Sequence, residues 1–192
     1  MINIPFNDFI NALEKTKEFF IQKMKEQSLQ LDNPEYLPNY DELQEFSEFQ
    51  QKSEKDFTPQ VFKKGVHIYS HLDTDGLCSA AILARLLERL NIGYQISILR
   101  QLELKYIQEI AQEKKQFNRF IIFSDFGSGQ IDQIQKFFDN DDYLILDHHK
   151  PEFDTKIPSI NHVNPYYYQI LGEDEISGAG VCYLFAKTID PI

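Results

Sequence analysis

The sequence predicts an α/β fold: a mostly parallel sheet with helices on both faces, preceded by an N-terminal helical extension. Three observations predict it. From Val61 onward, short apolar runs rich in β-branched and aromatic residues alternate with stretches of helical spacing, the pattern of βαβ units. Residues 1–60 instead hold apolar residues at helical spacing and contain neither Gly nor His. The residues able to do chemistry gather just after the predicted strands.

The elements follow in order. Phe6, Phe9, Ile10, Leu13, Phe19, Phe20 and Met24 recur at three and four residues, so an amphipathic helix is expected there. Pro34 and Pro38 break it, and Asp41 to Lys55 reads as a second, strongly acidic helix. Residues 1–60, with 6 Lys against 12 Asp or Glu, read as an acidic helical extension packed on the main domain, 61–192, with a partner-binding arm as the alternative. In that domain strands are expected at Val66–Ser70, Tyr94–Leu99, Phe120–Phe123, Tyr143–Leu146 and Ile160–Val163. Helices are expected at Ser79–Leu90, Leu102–Glu113, Ile131–Phe138 and Gly180–Ile189.

Composition excludes several classes of function. At 192 residues there is room for one domain and an appendage. A formal net charge of -11 argues against a basic clamp on nucleic acid over the whole surface. It leaves room for a local basic groove, and metal ions can neutralise an acidic site where phosphate binds. No apolar run approaches the ~20 residues of a membrane helix, and Met1 to Ile10 lacks the basic-then-apolar pattern of a secretory signal. Cys78 and Cys182 lie far apart in apolar, helix-like runs. They read as buried reduced thiols, which fits a cytoplasmic protein.

His71, Asp73 and Asp75 follow the first predicted strand, Asp125 the third, and Asp147, His148 and His149 the fourth. In open parallel sheets the C-terminal strand ends form the binding crevice, so three loops should converge on one place. As bare groups, so many carboxylates would repel and raise one another's pKa. Divalent metal ions remove that conflict. Mixed Asp oxygen and His nitrogen donors suit Mn²⁺, Zn²⁺, Fe²⁺ or Co²⁺, and carboxylate with water suits Mg²⁺. A carboxylate bridging two ions ~3.5–4 Å apart gives a site that activates water and steadies a leaving oxygen in phosphoryl transfer. Separately, each cluster also reads as a helix cap, an Asx-turn or a polar loop end; the common placement at strand ends favours a site. Ser177-Gly178-Ala179-Gly180 opens the last helix, where small residues let a phosphate or a neighbouring loop approach free N–H groups. His67 lies inside a strand and reads as structural; His162 stays undecided.

The ordered set His71-x-Asp73-x-Asp75-Gly76, Asp125 in Ser124 to Gly129, Asp147-His148-His149, Asn164-Pro165 and Ser177 to Gly180 resembles the DHH phosphoesterase superfamily. The likeness is nearest to archaeal RecJ-like proteins and covers about Val66 to Lys187. It implies two divalent ions, Mn²⁺ favoured and Mg²⁺ the alternative, held by His71, Asp73, Asp75, Asp125 and His148. Asp125 and Asp75 would be the bridging candidates. His149 would contact the scissile phosphate, making Asp75, Asp125 and His149 the catalytic group. Asp147 would orient His148 by a hydrogen bond, and Ser177, Gly178 and Gly180 would join His149 in shaping the substrate side.

The spacing from His71 to Asp73 and Asp75 resembles the RecJ branch. That implies metal-dependent phosphodiester hydrolysis of single-stranded nucleic acid, 5′ to 3′, with replication-helicase or repair proteins as partners. Two other readings stand beside it: a non-catalytic replication or repair scaffold on the same fold, and a small-molecule phosphatase or oligonucleotide phosphodiesterase. The resemblance also predicts a further ligand Asp and a second domain beyond Ser177–Gly180. Asp190 lies too near that loop to stand in, so the chain reads as the N-terminal part of such a protein.

Overall fold

The structure, a computed structural model, describes residues 4–29, 65–151 and 159–190. The expected acidic helix at Asp41–Lys55 and the prolines before it lie outside the described residues. The elements run α1 (Ile4–Leu29), β1 (Val66–His71), α2 (Thr74–Arg89), β2 (Tyr94–Leu99), α3 (Leu104–Phe117), β3 (Phe120–Ser124), α4 (Ile131–Ile134), β4 (Tyr143–Leu146), β5 (His162–Val163) and α5 (Gly178–Ile189). Short 3₁₀ turns at Ser128–Gln130 and Pro165–Tyr168 complete the set.

The strands form one parallel sheet in the order β2-β1-β3-β4-β5. Alternation along each strand divides the core in two. Ile68, Ile122, Leu144 and Leu146 face the side covered by α1, α2 and α5. Tyr69, Ile121, Phe123, Tyr143 and Ile145 face the side covered by α3 and α4. Register sets Ile68 beside Ile122 and Ile122 beside Leu144, so each face presents a continuous apolar row. Such double cover explains why these strands read as near-continuous apolar runs.

The first helix is part of this core. Phe9, Leu13 and Phe20 are fully buried, and Phe20 meets the rings of Phe120 and Phe185 edge-on. The Thr16 hydroxyl donates to the carbonyl of Ile160 at 2.9 Å, tying the helix to the strand region that precedes β5. Phe6, at the start of the apolar stripe, is exposed.

Several boundaries differ from expectation for local reasons. Helix α2 begins at Thr74, five residues earlier than expected, because the Asp73 carboxylate caps it by accepting the Gly76 N–H at 2.8 Å. Ser177 does the same for α5, accepting from Gly180. In α3, Leu102 packs in the core ahead of the helix, and Asn118 ends it in the left-handed conformation at φ 50°. The segment 131–138 is one regular turn, after which the Lys136 and Phe137 N–H groups bond three residues back and tighten the chain. Strand β5 is reduced to His162–Val163, with Ile160 exposed. Cys182 is buried as expected, but Cys78 is exposed: it lies on the outward side of α2, between the buried Gly76 and Ser79.

Candidate metal centre

Strands β1, β3 and β4 are neighbours, and their C-terminal ends carry His71, Asp125 and Asp147-His148-His149. The three loops therefore meet over adjacent strands, about 4.8 Å apart at each step. The turn after β1 is tight. A Cβ on Gly76 would lie 2.2 Å from the His71 carbonyl oxygen, so only glycine lets α2 start here. The turn after β3 holds Asp125 at φ 60°, a conformation rare for a residue with a side chain.

Asp125 is the centre of the arrangement. Its side chain is fully buried, and neither carboxylate oxygen has a hydrogen bond. His148 Nε2 lies 3.2 Å from Asp125 Oδ1 and 3.4 Å from Asp75 Oδ2, within ion-pair reach but not aligned as a hydrogen bond to Asp125. On the other side His71 Nδ1 lies 3.8 Å from Asp125 Oδ2 and 3.0 Å from Asp73 Oδ2. That nitrogen too is buried without an aligned hydrogen bond. Two sets of ligand-type atoms result, His71–Asp73–Asp125 and Asp125–His148–His149, each with its atoms within 4.8 Å of one another. Asp125 belongs to both.

Protonation follows this geometry. Burial pushes the Asp125 carboxyl above its ordinary value, and the Asp75 and Asp147 carboxylates add to that push. Burial opposes the His148 cation, but Asp125 and the Gly172 carbonyl outweigh it and lift His148 to about 9. His149 is raised mainly by its bond to Asp147. A buried carboxylate without partners beside two histidines favours taking up positive charge. Oxygen and imidazole donors fit a divalent transition ion, so the residues present fit the metal that the sequence implies.

The remaining expected residues fall around this centre. Asp75 lies outside both three-residue sets: its two oxygens accept the backbone N–H groups of Gly178 at 2.7 Å and Ala179 at 2.9 Å. The start of α5 thus holds Asp75, as a helix N-terminus holds an anion. Gly178 also touches Asp125, since a Cβ there would lie 2.3 Å from Asp125 Oδ1. Ser177 is the cap of α5, and Gly180 packs on Ile176.

Asp147 behaves differently from expectation. Its Oδ1 accepts from the backbone N–H groups of His148 and His149 and bonds the His149 ring Nδ1 at 2.8 Å, while Oδ2 accepts the Ser128 N–H. These bonds outweigh its complete burial and hold the Asp147 carboxyl below the usual range. It therefore orients His149, not the His148 ring. His148 Nδ1 is held instead by the carbonyls of Gly172 at 2.7 Å and Ile176 at 3.1 Å. The ring of His148 turns away from Asp147 because the loop before α5 supplies those carbonyls. Asp190, the residue weighed as a further ligand, is paired with Arg89 and lies at the far end of α5.

Sequence reasoning missed a supporting network. His162 Nε2 meets Ser128 Oγ at 2.8 Å, and Asn164 Nδ2 donates to Ser128 Oγ and to the His149 carbonyl. All three side chains are buried, so this network fixes the Asp147–His149 loop. The polar character of His162 and Asn164 at the end of a short strand was the available signal.

Beside the centre opens a crevice of about 610 Å³, lined by His71, Asp125 and His149 and, further out, by Arg100, Gln130 and Lys150.

Comparison with known proteins agrees with this picture. The model of the DHH family, N-terminal domain, matches residues 65–191. The uncharacterized protein MJ0831 of Methanocaldococcus jannaschii is 37% identical over 124 residues, covering 64% of this chain and 28% of that protein. The chain thus spans less than a third of that relative's length. Among solved structures, RecJ of Thermus thermophilus in complex with Mn²⁺ matches with a TM-score of 0.51 and 23% identity, over 66% of this chain and 18% of that one. Exonuclease RecJ bound to manganese matches with a TM-score of 0.52 and 21% identity, over 66% and 32%. At these identities the likeness is one of fold.

Proposed function

Since the chain belongs to the DHH family, whose N-terminal domain it matches over residues 65–191, we propose that it is the metal-binding part of a phosphodiesterase acting on single-stranded nucleic acid, 5′ to 3′. The single observation that carries this reading is the buried Asp125, without a hydrogen bond to either oxygen and shared by the two ligand sets. His71 and Asp73 on one side and His148 on the other, with the shared Asp125 and the neighbouring Asp75, would hold two divalent ions. Mn²⁺ is favoured, the metal present in both RecJ structures, with Mg²⁺ the alternative.

When bound, such ions supply water activation at neutral pH and charge stabilisation on the phosphoryl oxygens. The chain's own residues do the positioning. Asp147 fixes the ring of His149, which lines the crevice and is half-exposed there. A cationic or hydrogen-bonding His149 can hold a non-bridging oxygen of the scissile phosphate. Gly172 and Ile176 fix His148, and the α5 N-terminus fixes Asp75, so the charged groups need little rearrangement as charge develops. The substrate side is the crevice beyond His149; Ser177, Gly178 and Gly180 lie outside its lining and act on the centre through the start of α5, which holds Asp75. Proteins of replication or repair are the partners that this reading implies.

The test is direct. The chain is incubated with bis(p-nitrophenyl) phosphate and with end-labelled single strands, with Mn²⁺ and with a chelator. Cleavage that needs metal and is lost in Asp125→Asn supports the reading. Mn²⁺ that neither raises the melting temperature nor supports cleavage refutes it. A pure scaffold would bind metal without cleaving, even when the missing part of a relative is supplied.

A further inference from the structure

We propose that Arg100 and Lys150 form a pair of backbone-phosphate contacts that hold a strand across the metal centre, so that the site reads more than one phosphate; this rests on the phosphodiesterase reading above.

The placement comes from the sheet. Leu99, the last residue of β2, pairs with His71 on β1. Arg100 therefore stands one residue beyond the sheet edge, on the flank of the centre nearest His71. Lys150 directly follows His149 after β4, on the opposite flank. From β2 to β4 is three strand spacings, about 14 Å. Both residues are exposed and both line the crevice that contains His71, Asp125 and His149. An extended strand laid along that crevice would pass one cation, then the centre, then the other.

Charge pairing supports the choice of these two. The chain is acidic, at -11, and five of the ten described cations between residues 65 and 190 are committed: Arg85 to Glu88, Arg89 to Asp190, Lys105 to Glu103, Lys114 to Asp142 and Arg119 to Glu113. Of the other five, which have no acidic partner among the described residues, only Arg100 and Lys150 line the crevice. Two unpaired cations beside a cluster of carboxylates gain most from a ligand that brings its own negative charge. The guanidinium of Arg100 can take a phosphate through two parallel hydrogen bonds, and the Lys150 ammonium acts as a point charge.

The crevice also says what kind of recognition this is. Its aromatic members are the two histidines and Phe126, and Phe126 is buried against Phe123. Gln101, Gln130 and Gln133 supply amides. The lining therefore offers cations and amides to phosphate and sugar, its Glu103 is paired with Lys105, and its one open ring, His149, is bonded to Asp147 at the metal centre, which leaves no Phe, Tyr or Trp platform on which a base could stack. Recognition here is of the backbone and tolerates any sequence.

The experiment separates this inference from the reading it rests on. Binding of a fluorescent oligodeoxythymidylate is measured by anisotropy in chelator, where no cleavage occurs, over a range of salt. The proteins are the unmodified chain, R100A/K150A and K115A. Lys115 is an exposed control lying about 16 Å further along α3 from the crevice, at ~1.5 Å per residue. R100A/K150A should weaken binding about ten-fold at low salt and reduce the slope of log affinity against log salt by about 1.4, near 0.7 per lost contact on a single strand. K115A should bind like the unmodified chain. With Mn²⁺, the double variant should raise KM on long strands far more than on bis(p-nitrophenyl) phosphate, with kcat on the strand little altered. An unmodified chain that does not bind the strand, a slope equal in all three proteins, or equal losses on strand and small diester would overturn the inference. Absence of any Mn²⁺-dependent cleavage of the small diester would instead strike the phosphodiesterase reading, and the salt slope would still decide the two cations.

Discussion

Two buried polar clusters on one strand invite comparison. Near the start of β1, His67 is almost fully buried, with Nδ1 3.0 Å from Glu113 and Nε2 2.8 Å from Ser97. The Tyr69 hydroxyl donates to Glu113, and Arg119 bridges Glu113 and Gln95. Every polar group named there has a partner within the fold. Four residues on, at the other end of the same strand, half-buried His71 faces the buried Asp125 that follows β3, and His71 Nδ1 and both Asp125 oxygens are buried without a hydrogen bond. The two clusters use the same chemistry, imidazole beside carboxylate. An unmade hydrogen bond in a buried place costs about 1–3 kcal/mol, more for a charge. The first cluster avoids that cost internally, and in the second, on the function proposed above, a bound ion would remove it. Satisfaction of the polar atoms, more than residue type, separates a structural cluster from a functional one.

Substitutions can break this contrast. The largest effect is expected for Asp125→Asn. It should lower Mn²⁺ affinity by more than the ~100-fold that follows loss of an outer hydrogen-bond partner. In the metal-free protein the variant also loses the carboxylate that faces His148 at 3.2 Å, so the raised pKa of His148 should fall; calorimetric metal titration and NMR titration of the His148 ring read both. An Asp125→Asn variant that keeps its Mn²⁺ affinity would make the upper cluster as structural as the lower. Next, Asp147→Asn should cost about 10–100-fold in metal affinity or turnover by releasing His149, read by titration and by initial rates.

Glu113→Ala should do the opposite. It leaves His67, Tyr69 and Arg119 short of a partner, costing about 1–3 kcal/mol of unfolding free energy, while Mn²⁺ affinity stays within error. Smallest is a pH effect at His67. Burial lowers its pKa below the ordinary 6.5, against the raising influence of Glu113. The folded state therefore binds fewer protons than the unfolded chain as pH falls below 6.5. Stability contributed by the neutral ring is complete above 6.5 and is lost as pH drops toward the folded pKa. Denaturation midpoints of His67→Gln across that range should fall less steeply than those of the unmodified chain.

The sheet was legible because each strand has a short apolar run and each active-end residue follows one directly. His71, Asp125 and Asp147 could be placed at one edge from that alone. What the spacing could not show was which atoms meet. Asp147 and His148 are adjacent in the chain, so a bond between their side chains was the simple expectation. In the structure His148 is held by carbonyls 24 and 28 residues later, from a loop with no periodic pattern to read. Asp75 was read as a ligand from its place in the motif, and its bonds to N–H groups more than 100 residues away could not be read there. The exposure of Cys78 was lost because an apolar helix start was taken as facing inward, whereas Leu77 and Cys78 both face out. Partners distant in sequence and supplied by main chain leave no trace in side-chain patterning.

The bond from Thr16 to Ile160 closes a loop of 144 residues. With it, Phe9, Leu13 and Phe20 of the first helix are covered only when the last strand and α5 arrive. During synthesis that apolar stripe emerges first and waits until nearly the whole sheet has been made. Contacts of such sequence separation slow folding, and surface left open in the interval is prone to aggregate. Production of soluble protein should therefore depend on α5: deleting it should yield insoluble protein, even though the deletion lies far in sequence from the helix it exposes.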